Sequence, residues 1–285
     1  MATVIKSRKQ QQVLSPVDET VRPWDGLATG VFTLWLKHMR KFRGSTMEIG
    51  GTLIAPALWL LFFGVCMDSM VKEVQKLDIG IGYKAFIVPG IMFLTSLSAA
   101  VLGGTTLLME RINGVIKEYL VAPIPRISVL LGTLASSLTK AILQSLVVVA
   151  VGTLLDPTLL LDPVRVLVSL FVVVCFSLGF IGLATAFACT AKTMESYHSL
   201  IMVMNLPVLF LSNALYPISQ MPNLIKWLSF MNPTTYAVDA VRTLLYGAKP
   251  EIGLWIDLPV LVAFMIAGTL YGYKYFQRTV SNVVA

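Results

Sequence analysis

Charged side chains are scarce in this sequence, so the cluster in "LLMERINGVIKEYLVAPIPRISVLLG", Leu107 to Gly132, is the first place to look for chemistry. Glu110, Arg111, Lys117 and Glu118 stand there with Asn113 and Tyr119, and Arg126 follows two prolines. No carboxylate is paired with a histidine or serine at a spacing that would make a nucleophile and its base. The chemistry on offer is recognition: ion pairs and hydrogen bonds presented by a short helix. Ile112, Val115, Ile116, Tyr119 and Leu120 recur at helical spacing, leaving Arg111, Asn113, Lys117 and Glu118 on the remaining positions. Pro123 and Pro125 stop the helix. The plainer alternative is a solvated basic connection, since short cytoplasmic loops are commonly basic; such a loop needs no apolar stripe.

Other chemistries lack their residues. Cys66, Cys175 and Cys189 sit in apolar windows without metal-ligand spacing, and His38 and His198 stand alone, so a metal site is not expected. The chain has no G-x-x-x-x-G-K-[ST] loop and no Gly-Lys pair, so it cannot cradle nucleotide phosphates in that way.

The elements that must position the charged cluster are membrane helices. The chain has 285 residues, 56% hydrophobic and 13% charged, against about 25% charged in soluble domains. Ile49 to Met67, Ala85 to Met109, Val166 to Ala191 and Ser196 to Ile225 contain no Asp, Glu, Lys or Arg, and a spanning helix needs roughly 20 apolar residues. Six spans are expected, at about 47–69, 84–108, 127–155, 164–191, 197–216 and 254–275, within a domain over 45–278. The net charge of +7 then points to the cytoplasmic side and anionic lipid headgroups rather than to nucleic acid. Residues 1–23 form a polar tail without the features of a cleaved signal. Placing both termini in the cytoplasm puts most of the 22 basic residues inside; residues 279–285 form the second tail.

Over 24–44 Trp24, Leu27, Ala28, Val31, Trp35 and Phe42 make an amphipathic helix, expected in the membrane surface, with a soluble helix packed on a partner as the alternative. Between the last two spans, 217–247 is too apolar for a free loop and too interrupted for a span. Pro217 and Pro222 break it, Asn232 and Pro233 begin a helix, and Tyr236 joins its apolar face, so two short helices dipping back toward the membrane are expected, as a lid or a brace. Asp239 and Arg242 could pair there. Thr95, Ser98, Thr105 and Thr106 on span two, with Asn205, Ser212 and Asn213 near span five, are candidates for a translocation path, or they bond helix to helix. Lys140, inside span three, is costly unless functional, and the simpler expectation is that its head extends to the interface. Gly103-Gly104 and the Gly268 to Gly272 GxxxG permit close helix contact.

"ERINGVIKEYLVAPIPR" followed by "LLG", together with "NALYPISQMPNLIKWLSFMNPTTYAVDAVR", resembles the permeases of type-2 ABC exporters, the group that includes daunorubicin-resistance and nodulation-factor export subunits. The resemblance covers about Trp24 to Tyr275. It implies an all-α homodimer of six-span subunits in the inner membrane, with 110–122, Glu110, Arg111, Asn113, Gly114, Lys117, Glu118, Tyr119 and Arg126 included, as the coupling helix. That helix would seat each subunit on a separate ABC ATPase, present in two copies, which would bind the ATP and Mg that this chain does not. It also implies export of an amphipathic or lipophilic cargo, such as a drug, a lipid or a lipid-linked molecule, or of a polysaccharide or lipo-oligosaccharide. A secondary transporter, expected to show inverted repeats and buried acids for ion coupling, and a non-transporting membrane anchor are the competing classes.

Overall fold

The computed structural model describes residues 26–73, 81–122, 124–155 and 162–284, and among them every regular element is a helix. In order these are α1 (Leu27–Gly44), α2 (Thr46–Glu73), α3 (Tyr83–Ile112), α4 (Val115–Val121), α5 (Ile127–Leu155), α6 (Pro163–Thr190), α7 (Met194–Phe210), a 3₁₀ turn (Ile218–Gln220), α8 (Asn223–Phe230), α9 (Pro233–Tyr246) and α10 (Leu254–Val284). The expected polar tail at 1–23, the first residues of the connecting helix and Pro123 lie outside the described residues.

Among the described residues five helices are long and apolar enough to cross a bilayer: α2, α3, α5, α6 and α10. The segment expected as the fifth span is shorter than predicted. Its helix, α7, has 17 residues, about 25 Å at 1.5 Å per residue. A capping box between Thr193 and Ser196 starts it. Pro207 lies inside its last turn, and the chain then leaves the helix at Leu211, so Ser212 to Tyr216 form a turn.

The core is centred on α3, which is buried from Ala85 to Phe93 almost without interruption and touches α2, α5, α6, α7 and α9. A helix apolar on every side is one that other helices surround. Phe93, Phe176, Phe180 and Phe264 form a chain of rings across α3, α6 and α10, with centroids 4.8, 4.8 and 4.9 Å apart. The tightest contact joins α6 to α10. A Cβ added at Gly182 would lie 2.2 Å from the carbonyl oxygen of Gly268, and one at Gly268 would lie 2.3 Å from that of Gly179. The GxxxG therefore acts as the sequence suggests, because backbones approach this closely in a bilayer only where side chains are absent. Gly103 and Gly104 likewise leave room for Ser137 and for the Tyr197 hydroxyl, which donates to the Val101 carbonyl at 2.9 Å.

The amphipathic helix α1 packs along α5, with Gly30 against Ser128 and Gly132 against Leu34. Its buried stripe is Gly30, Leu34, His38 and Phe42, four residues apart. The predicted apolar stripe shares only Phe42 with it; Phe32 and Ala28 are exposed and Trp35 half-buried, the indole donating to Thr139 at 3.0 Å.

Substituting Gly182 by Ala should lower the unfolding midpoint of the purified protein by roughly 5–10 °C, through overpacking against backbone that cannot yield. Gly44→Ala, at a position with nothing within 4 Å, should leave the midpoint unchanged. Thermal unfolding in detergent followed by tryptophan fluorescence reads both; equal midpoints for the two variants would remove the backbone contact as the cause.

Candidate functional site

The charged cluster of the sequence does not form one continuous helix. Asn113 ends α3 and Gly114 takes a left-handed φ of 78°, which breaks 110–122 into the last turn of α3 and the separate α4. A glycine adopts that φ without strain. Glu110, still on regular α3, faces inward, while Lys117 and Glu118 on α4 stay exposed.

Glu110 becomes the acceptor of a junction. Its Oε1 receives the Lys37 ammonium at 2.8 Å, the Tyr119 hydroxyl at 2.9 Å and His38 Nε2 at 3.2 Å. Lys37 Nζ also donates to the Tyr119 hydroxyl, and His38 Nδ1 lies 3.0 Å from Ser136 Oγ. One carboxylate thus joins α1, α3 and α4, with α5 attached through His38. Burial works to lower the pKa of Lys37, but its hydrogen bonds to Glu110 and Tyr119 outweigh that and hold it above the ordinary lysine value. Arg111 points elsewhere. Its guanidinium donates to the carbonyls of Cys189 and Ala191 at the end of α6, where a cation satisfies orphan acceptors and opposes the helix dipole. Glu110 and Arg111 were both expected on the outward face; both are taken up inside the protein. The exposed residues at this end are Met109, Ile112, Asn113, Lys117, Glu118, Val121 and Arg126, while Gly114 and Tyr119 are half-buried.

Lys140 is largely buried and paired with an acid. Its ammonium lies 2.5 Å from Glu48 Oε1 and 5.0 Å from the centroid of the Phe42 ring, beside a polar cavity of about 30 Å³ shared with His38, Thr106 and Ser136.

The segment after α7 is held by side chains bonded to backbone groups. Asn232 Oδ1 caps α9 by accepting from Thr234 N at 3.0 Å, and its Nδ2 donates to the carbonyls of Val208 and Leu211 at 2.9 and 3.0 Å. One side chain thus closes the start of α9 and the end of α7. Pro233 opens α9, Pro217 and Pro222 precede the 3₁₀ turn and α8, and the Tyr236 hydroxyl donates to Phe230 O at 2.6 Å. The two short helices are present as expected. The pairing of Asp239 with Arg242 is not: Asp239 accepts from the backbone N–H groups of Glu251, Ile252 and Gly253 at 3.0, 2.9 and 3.3 Å. Arg242, 2% exposed, donates to Phe86 O and Asn213 O, stacks on the Phe86 ring 3.6 Å away, and lies 3.9 Å from Glu251. Burial lowers its pKa to about 10, so it remains charged at neutral pH.

Between α2, α3, α5 and α7 lies a cleft of about 500 Å³. Of the candidate path residues, Thr95, Ser98 and Asn205 line it; Thr105, Ser212 and Asn213 do not. Thr105 and Thr106 donate to carbonyls one turn back in α3. The Ser212 hydroxyl donates to Leu209 O within the turn, and Asn213 is fully buried. Gln144, on the cleft wall, was missed because it sits in a run of apolar residues. Lys37 and His38 were missed as well, although the spacing of Gly30, Leu34, His38 and Phe42 carries a helix face that points to His38.

A family model described as ABC-2 type transporter matches residues 29–246. The chain is similar to the ycf38 protein of Cyanophora paradoxa, 28% identical over 241 residues that cover 81% of this chain and 82% of that one. It is also similar to the inner membrane transport permease YadH of Escherichia coli (strain K12), 24% identical over 252 residues covering 86% and 94% of the two chains. Nodulation protein J of Rhizobium leguminosarum bv. viciae is 24% identical over 251 residues, covering 86% and 93%.

Glu110→Ala removes the acceptor that Lys37, His38 and Tyr119 share and should destabilise the protein by about 2–4 kcal/mol. Lys37→Ala, whose side chain is 46% exposed, should cost under about 1 kcal/mol. Denaturant unfolding in micelles compares the two; a larger loss from Lys37→Ala would move the centre of the junction off the carboxylate.

Proposed function

The chain belongs to the ABC-2 type transporter family, and from that membership we propose that it is the membrane-spanning subunit of an ATP-driven exporter whose ATP hydrolysis resides in a separate ATPase chain. It is a transport permease of several apolar helices. Two copies would form the path, each resting on one of two ATPase subunits that bind ATP and Mg.

The observation that carries this reading is the construction of α4. It is too short to be stable alone, since isolated helices under about 12 residues are marginal in water, yet it is fixed at both ends. Ile116 is 3% exposed and Tyr119 is held by Glu110, while Lys117, Glu118 and Val121 stand free on the opposite side. A rigidly mounted helix with an exposed face of both charges and an apolar residue is suited to sit in a groove of another protein and to pass movement on. Motion at α4 would reach α1 and α3 through Glu110, and α6 through the neighbouring Arg111. ATP-driven approach of the two motors would then bias a bistable packing of the spans.

Exposed Arg40, Lys41, Arg43, Lys117, Arg126, Lys192, Lys274 and Arg278 cluster at this same end of the bundle, which favours its placement in the cytoplasm of an inner-membrane protein. Residues 217–247 would then face outward, acting as a brace. An amphipathic cargo taken from the bilayer suits the apolar cleft better than an undecorated sugar chain, which would need a polar bore.

Tagged wild-type chain, expressed with its chromosomal neighbours, should retain an ATPase subunit through purification. Lys117→Glu combined with Glu118→Lys should reduce the retained ATPase at least about tenfold, as loss of an interfacial charge pair does, without lowering the unfolding midpoint. Full retention by the double variant would remove α4 as the docking element.

A further inference from the structure

Two lysines and one carboxylate share the small cavity beside the Glu110 junction. Lys140 of α5, Lys41 of α1 and Glu48 in the first turn of α2 line it, together with hydroxyl groups of Thr106, Thr133, Ser136 and Ser137. Its volume of about 30 Å³ admits water and no larger guest. His38 also borders it, but both ring nitrogens are already engaged, one with Glu110 and one with Ser136. Glu48 is thus the one carboxylate of the lining, and two ammonium groups stand within its surroundings.

The structure holds one of the two pairings. Lys140 Nζ lies 2.5 Å from Glu48 Oε1, with side-chain exposures of 10% and 28%, and 5.0 Å from the centroid of the Phe42 ring. Lys41 is exposed. Ser45 makes the elbow between α1 and α2, and its hydroxyl accepts from Glu48 N at 3.2 Å. Lys41 and Glu48 flank that elbow, four residues before it and three after.

The choice of partner bears on α2. Among its described side chains Thr52, Pro56, Leu60 and Gly64, each four residues on, are the buried ones, whereas Ile54, Leu58, Trp59, Leu61 and Phe62 are exposed. A helix seated along one narrow line can rock about it without unpacking a broad face. The ion pair lies one turn from the large cleft between α2, α3, α5 and α7: Gly51, three residues after Glu48, and Gln144, four after Lys140, both line that cleft. Bonded to Lys140, Glu48 ties α2 to α5 at the α4 end of the cleft. Bonded to Lys41, it would tie α2 to its own leading helix and release it from α5. The Lys140 ammonium would then be left to the hydroxyl oxygens of the cavity. Neither arrangement leaves the carboxylate without a cation, which is the costly alternative for a partly buried acid.

We propose that Glu48 is a two-position clasp: it exchanges between Lys140 and Lys41, and the exchange closes or opens the α4 end of the cleft. Lys140 is then the positioning residue of the closed arrangement and Lys41 that of the open one. That the opening admits cargo rests on the export reading above; the exchange itself does not.

The test uses the full chain in nanodiscs without any ATPase. Gly51→Cys places a thiol on the cleft wall at a position where a Cβ meets nothing within 4 Å. Its reaction with an uncharged, water-soluble maleimide is timed, and peptide mass spectrometry reads residue 51 apart from the native cysteines. In this background Lys140→Met, which keeps the apolar stem, should raise the labelling rate about fivefold or more. Lys41→Met, which removes the alternative partner, should lower it about threefold. Arg40→Met, the loss of a neighbouring exposed cation outside the cavity, should leave the rate unchanged. Glu48→Lys combined with Lys140→Glu restores the pair and sets a like charge against Lys41, so the rate should return to the starting value or below it. Opposite signs for the two lysines are what a fixed ion pair does not produce. A silent Lys41→Met, a rise with both lysine variants, or an equal fall with Arg40→Met would each overturn the exchange. An unchanged rate in Lys140→Met would overturn it too; should that variant not fold, the comparison of Lys41→Met with Arg40→Met, both at exposed positions, decides alone. Because no ATPase takes part, failure here leaves the docking experiment on α4 standing, and failure there leaves this one standing.

Discussion

Everything at the α4 end of the molecule depends on one carboxylate. Glu110 lies three residues before a helix break, where its α3 backbone is still regular and its side chain already points into the junction. From there it accepts from Lys37 and His38 of α1 and from Tyr119 of α4. A buried carboxylate is tolerable only when its neighbours donate to it, so Glu110 depends on this set of donors. The next residue extends the constraint: Arg111 closes the carbonyls at the end of α6. Two adjacent residues of one helix thereby fix α4 to the amphipathic helix on one side and to the bundle on the other.

The opposite end is held by a different kind of bond. Asp239, Asn232 and Arg242 direct their polar atoms mainly at backbone groups. Backbone groups at helix ends must be satisfied somewhere: here Asn232 and Arg242 donate to carbonyls of α7, α3 and the turn after α7, and Asp239 accepts from the N–H groups of the turn that leads into α10. The result is a cap whose geometry follows from the chain path rather than from matched charges. Side-chain junctions can exchange partners, whereas a cap of this kind comes apart only with the helix ends it closes. That asymmetry suits a machine pushed from one end and braced at the other.

Much of this architecture was legible in the sequence because membrane helices announce themselves by length and apolarity, and because Gly268, Gly272, Asn232 and Pro233 carry local rules that hold regardless of surroundings. The break at Gly114 was legible in principle, since Asn-Gly favours a turn, yet the apolar periodicity running through it from Ile112 to Tyr119 suggested a single helix. Glu110 was therefore assigned to the outward face with the rest of the stretch, whereas it belongs to α3, and the left-handed Gly114 redirects only the chain that follows it. His38 and Glu48 were passed over for another reason. Their partners, Glu110 and Lys140, are far away in sequence, and no short-range pattern reports a pair formed only by packing.

The same limit bears on the cleft. Thr95 and Ser98 drew notice because hydroxyls on a span are conspicuous, but each returns its proton to its own helix, as such groups commonly do where no water competes. Gln144 is the reverse case. It lies on the cleft wall amid apolar residues, and its amide oxygen is buried without a donor. Two of the spans that line this cleft, α3 and α5, also carry Glu110 and Ser136 of the junction, so under the proposed export function a shift at α4 would reach the walls around Gln144 through the same two helices.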